Sequence, residues 1–366
     1  MKKLFGIFKT VFLLCGGVIG AGFLGGAELA EFFGAAGYLP FVAVSAVTFF
    51  IGFSFVFLRE KQNGELTVSQ SEQKITEIVF LAAELIFSAA MLAGVNEILR
   101  EAGTGFFSYP LTFALFVSSC IFLKNGKRAA ERLSSVAMPT ALILVDIFLI
   151  IFLFGKKGMG VKTESVENIA AWQGIFKAVL FAALNVFITA PAVTETVKNK
   201  TLAELLVAAA VFSLIAFMQA VLILRTVETT DSLKAEVPVV RALAETGKIV
   251  RAIIFISLFF ATFTSFFTCC AAASEYSEKK FGRKFKYASL IFTYLFSLAG
   301  LNKIVKYVYP IFGACGVFYV INSLIKFIKL NGKKSKNKKT VKSYRIKIRK
   351  KADNSNKVRF GGYKNV

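Results

Sequence analysis

The chain contains no histidine. Imidazole acid–base catalysis, a His proton relay and His-ligated metals are therefore excluded. Tryptophan occurs once, and the five cysteines among 366 residues are Cys15, Cys120, Cys269, Cys270 and Cys315. All five fall in apolar runs, without a disulfide framework or metal spacing, and read as small core residues. Acids are scarce, with 22 Asp and Glu against 45 Lys and Arg, for a net charge of +23. Such an excess suits nucleic acid, but its distribution argues against that partner. Many of the cations lie in one tail from Lys326 onward, and most others sit in short loops between apolar runs, a pattern of membrane topology. No Walker motif, kinase signature or nucleophile elbow occurs, so no enzymatic activity is expected. A cleavable signal peptide is not expected either: the first apolar run is long, carries an acid and lacks an A-x-A-like site.

Hydrophobic residues make up 56% of the chain, and the mean hydropathy is +0.64. A helix crosses the bilayer with about 20 apolar residues. The runs predict ten spans, near 5–33, 39–58, 75–99, 109–123, 134–154, 172–193, 202–224, 249–275, 285–300 and 304–328. The fourth and ninth are short, but a nine-span reading would put the basic tail outside. With the N-terminus inside, the inner loops hold more Lys and Arg than the outer ones even without the tail. This predicts a multi-pass protein of the cell membrane with both termini cytoplasmic. Residues 1–330 form the membrane domain. Residues 331–366 form a basic tail, read as disordered, with attraction to anionic lipid as the functional alternative. The longest loop, 225–248, contains Pro238 and an apolar stretch suited to a short helix folding back over the outer mouth.

The first span is unusual. Cys15–Gly26 reads CGGVIGAGFLGG, and each glycine in a helix interior costs about 1 kcal/mol relative to Ala. Two explanations compete. Small residues let helices approach closely, or the helix is broken at mid-membrane, freeing backbone groups. The density of glycine and the adjacent Glu28 favour the break. The sixth span has Asn185 at its middle, then Thr189 and Pro191, but lacks glycine. Glu84, Ser88, Asp146 and Asn302 are further polar groups read as buried. Glu97 and Arg100 read as a surface pair at the outer end of the third span.

GVIGAGF resembles the first-span signature of the amino acid–polyamine–organocation (APC) transporter superfamily. The longer GAGFLGGAELAEFFG is most similar to the YkvI family of uncharacterised membrane proteins, with Leu24, Gly25 and Ala27 departing from that family's usual residues. The resemblance implies the LeuT-like fold: all-α, about ten transmembrane helices in a 5+5 inverted repeat (about 5–154 and 172–328), with helices 1 and 6 broken. It implies cation-coupled symport of an amino acid or similar small carboxylate by alternating access, spans 1, 2, 6 and 7 rocking against 3, 4, 8 and 9. The alternative is a solute-sensing membrane receptor of the same fold, like bacterial germinant-receptor subunits. The implied solute site comprises Val18, Gly20, Ala21, Gly22, Phe23, Gly25, Gly26, Glu28, Phe181, Asn185 and Thr189, with the backbone at 21–23 receiving the carboxylate and Phe187 as a further wall. No cofactor is implied beyond a sodium ion, held by carbonyls of Gly16 and Ile19 and by the Ala261-x-x-Thr264-Ser265 stretch. Sodium is preferred to a proton because the fifth span lacks the interior Lys of proton-driven relatives. The expected partners are the lipid bilayer and the solute.

Overall fold

The computed structural model describes residues 2–34, 37–62, 70–122, 126–155, 170–198, 200–230, 232–243 and 247–328. Among them every regular element is helical, as a lipid-immersed backbone requires if it is to satisfy its own polar groups. The tail 331–366 lies outside the described residues, as do parts of several loops between helices, 63–69 and 156–169 among them. The chain divides into two units, 1–320 and 321–366. The described part of the second, 321–328, is helical.

The first span comprises three helices, α1 (Lys2–Val18), α2 (Ala21–Leu24) and α3 (Ala27–Phe33). Then follow α4 (Leu39–Gln62), α5 (Gln70–Leu99), α6 (Ser108–Phe122), α7 (Gly126–Gly155), α8 (Ala171–Lys198) and α9 (Leu202–Thr229). The short α10 (Pro238–Ala242) precedes α11 (Lys248–Phe281) and α12 (Arg283–Ser297). The last helix, α13, covers Leu301–Ile328 and contains a π-helical turn at Ile304–Val308.

Among the described residues, seven helical stretches are long and apolar enough to cross a membrane. One of these, Glu77–Ile121, would be on the order of 70 Å long if straight, more than twice the hydrocarbon thickness. It is two crossings, α5 and α6, turned at Gly103 (φ 96°). Counting these as two, and adding the interrupted first span and α12, yields the ten predicted crossings.

Packing sorts the crossings into two groups. The first span and α4 each pack on α8 and α9, while α5, α11 and α12 pack on one another with α6 against α5 and α12. α7 packs on α11 and on the first span. α4 packs on α8, and α9 packs on α1; these pairs interchange when the two halves of the chain are swapped, as an inverted repeat requires.

One expectation fails. α8 is a single helix through Asn185 and Pro191. The Asn185 side-chain amide donates to the Phe181 carbonyl one turn back (2.9 Å), which binds it to its own helix. Pro191 removes one N–H, but without neighbouring glycine the backbone stays in the helical well.

Candidate functional site

The first span breaks twice. α1 ends at Val18, Ile19 and Gly20 are non-helical, and a second interruption falls at Gly25–Gly26. Gly26 has φ 85°, a left-handed conformation open to glycine at little cost. Of the glycines in the first-span cluster, Gly20 and the Gly25–Gly26 pair lie at the two breaks, while Gly16 and Gly17 stay within α1.

The second break is covered by α10. The Val239 N–H donates to the Gly25 carbonyl (3.0 Å), and Pro238 and Val239 pack against Gly26. Val237, Val239, Val240 and Leu243 are buried. The apolar stretch of the long loop is thus a helix seated on the first span. Beside it, Arg100 pairs with Glu97 (2.9 Å) and also with Glu236, so the expected surface pair is part of a triad joining α5 to the α9–α10 loop.

Glu28, second residue of α3, is wholly buried. Its carboxylate lies back against Gly22, where an added Cβ would meet Oε1 at 2.1 Å. Neither carboxylate oxygen has a hydrogen-bond partner. It faces the hydroxyl of Tyr309 from α13, which is also wholly buried and unpartnered. The Tyr309 ring stacks on Phe87 at 4.9 Å. A tyrosine in a distant span carries no local signal, and sequence reading missed it.

The structure brings Phe23 and Phe181 together, with ring centroids 6.0 Å apart. Phe181 also meets Phe32, Phe33 and Phe49 at 5.1–5.9 Å. Val18, Asn185 and Thr189 are buried, and Thr189 packs on Gly17 of the first span. Asn185 keeps its carbonyl oxygen, and Thr189 its hydroxyl, without a hydrogen-bond partner. Phe187 belongs elsewhere: it stacks on Phe80 at 4.4 Å and meets Tyr319 at 5.5 Å. Being six residues beyond Phe181, it lies on another face of α8.

Of the residues expected to hold a cation, Ser265 donates to the Gly16 carbonyl (3.1 Å) and lies against Gly20, joining α11 to the end of α1. Thr264 donates back into its own helix, to Ala261 (2.7 Å) and Phe260 (2.9 Å). The neutral oxygens at Ser265 and Gly16 are of the kind a hard cation takes. Among the described residues no cluster of three acids or cysteines forms a metal site.

Of the other acids expected to be buried, Glu84 is buried and Asp146 half-buried, and both find partners. Asp146 accepts from the Gln219 amide (2.5 Å). Glu84 lines a cavity of about 120 Å³ with Phe80, Pro191, Tyr276 and Lys279, and lies within reach of the Cys269 thiol. Asn302, expected to be buried, is exposed, because it lies at the start of α13, just after the Gly300 turn.

No family model and no curated protein matches the chain. Among solved structures, it is similar to MhsT in complex with L-phenylalanine, with a TM-score of 0.60 and 14% identity over 85% of this chain and 87% of that one. At such identity the likeness speaks for architecture. With the interrupted first span and the interchangeable packing of its halves, it shows that this chain has the LeuT-like fold.

Proposed function

We propose that the protein is a secondary transporter of a small amino-acid-like solute, driven by a cation gradient. The observation that carries this reading is the first span. It is interrupted at two points, where the first span, α8 and α11 meet, and is covered on one side by α10. Interrupted helices leave backbone donors and acceptors free where a solute and a coupling ion bind. The solute contacts are then Val18, Gly20–Phe23, Gly25, Gly26 and Glu28 of the first span, with Phe181, Asn185 and Thr189 of α8. The Ser265–Gly16 contact supports sodium as the coupling ion, with Ile19, Ala261 and Thr264 beside it. L-phenylalanine in MhsT makes an amino acid the first solute to test. Placement in the APC superfamily, near the YkvI proteins, rests on GVIGAGF and the FF that follows.

The test is uptake by purified protein in proteoliposomes. A panel of radiolabelled amino acids is offered with and without an inward sodium gradient. Saturable accumulation that collapses when the gradient is dissipated is expected. Binding without accumulation would favour the solute-sensing receptor. Accumulation driven equally well by a proton gradient alone would remove sodium.

A further inference from the structure

Glu28 is a carboxylate buried just past the second break of the first span, and among the described residues no Lys or Arg pairs with it. Such a group is stable in a low-dielectric interior only when neutral or matched by a cation. The Tyr309 hydroxyl is a single donor, whereas a carboxylate offers about four acceptor positions. Most of its capacity is therefore left for something that comes from outside the chain.

Three local features serve this carboxylate. Gly22 has no Cβ, and only so can the carboxylate occupy that place. The π-helical turn Ile304–Val308 directly precedes Tyr309, and such turns recur at functional sites because they shift the helix register. Phe87 holds the Tyr309 ring face to face, an aromatic surface that also attracts cations. The same geometry bears on the backbone at 21–23, expected to receive a carboxylate: the Glu28 charge beside Gly22 repels a second anion.

We propose that Glu28, with Tyr309 beside it, is the subsite for the ammonium group of the solute. The ligand class is then primary amines and amino acids, not carboxylates that lack an amine. This deepens the transporter reading of the same site but needs only binding.

The experiment is thermal melting of the purified full-length protein. Each L-amino acid is tested beside its decarboxylated amine and its deaminated acid; for phenylalanine these are 2-phenylethylamine and 3-phenylpropionate. For at least one side chain, the amino acid and the amine raise the melting temperature and the acid does not. Glu28→Gln weakens amine binding at least tenfold, and Tyr309→Phe weakens it severalfold. Size-exclusion profiles and ligand-free melting report folding of each variant. If Glu28→Gln does not fold, Glu28→Asp, with its carboxylate drawn back from Gly22, gives an intermediate loss. The proposal is overturned if a deaminated acid binds as tightly as its parent, if no amine binds, or if the folded Glu28 variant keeps full amine affinity. Amine binding that depends on Glu28 in a protein without flux would remove transport and leave the subsite standing.

Discussion

Gly22 has no room for a side chain. A methyl group there would press on the Glu28 carboxylate, which would have to leave its place against α2. Gly22→Leu is therefore expected to abolish the ligand-induced melting shift; an unchanged shift would remove the first span from the site. Gly26 is constrained by its backbone instead. At φ 85° any other L-residue pays roughly 1–2 kcal/mol, so Gly26→Ala should lower the melting temperature even without ligand. Asp146 is a case of limited consequence. Its bond to Gln219 is a polar contact between membrane helices, worth about 0.5–2 kcal/mol. Asp146→Ala should cost stability in that range and leave the dependence on sodium as it was, measured by melting in detergent with and without the ion.

Two element-level contacts decide how the first span is held. On one side Ser265 of α11 reaches Gly16 of α1. If this pair marks the sodium position, Ser265→Ala should shrink the sodium-induced rise in melting temperature, because stabilisation by an ion follows its occupancy. A rise equal to that of the unaltered protein would move the cation elsewhere. On the other side α10 covers the break at Gly25. Its Arg100–Glu236 pair is about 40% exposed, and such pairs contribute about 0–1 kcal/mol. The buried valines matter more: removing two carbons from Val239 costs about 1.6 kcal/mol, or roughly tenfold in an opening equilibrium. Labelling of Val240→Cys by an impermeant maleimide should therefore accelerate about tenfold on adding Val239→Ala, and only a few-fold on adding Glu236→Gln. The reverse order would make the ion pair the main hold on α10.

For the whole molecule, the proposed function, with a zwitterionic solute and one sodium ion, would move one net positive charge per cycle. A potential of 100 mV acting on that charge is worth about 2.3 kcal/mol, or roughly fiftyfold in the accumulation ratio. Proteoliposomes given an inside-negative potassium diffusion potential should accumulate solute accordingly. Uptake indifferent to the potential would mean that no net charge crosses with the solute. The proposed rocking of the first span, α4, α8 and α9 against α5, α6, α11 and α12 would require each group to be packed internally; the first span and α4 each pack on α8 and α9, and α5 packs on α6, α11 and α12.

The ten crossings and the break in the first span were determined by the sequence alone, because both follow from local chemistry. Hydrocarbon demands long apolar runs, and a dense glycine cluster destabilises a helix wherever it lies. The expected break in α8 failed for the same kind of reason: one proline and one asparagine, unaided by glycine, leave a helix intact. Only the tertiary structure decided what meets the broken segment. Tyr309 faces Glu28 from nearly 300 residues away, Gln219 takes Asp146 from another helix, and Val239 reaches Gly25 from a loop. Partnerships of this kind depend on how the halves of the chain pack against each other, and no residue near Glu28 in sequence reveals its partner. The glycines marked where the chain opens; the packed helices placed a carboxylate there with no cation of the described chain to pair with it.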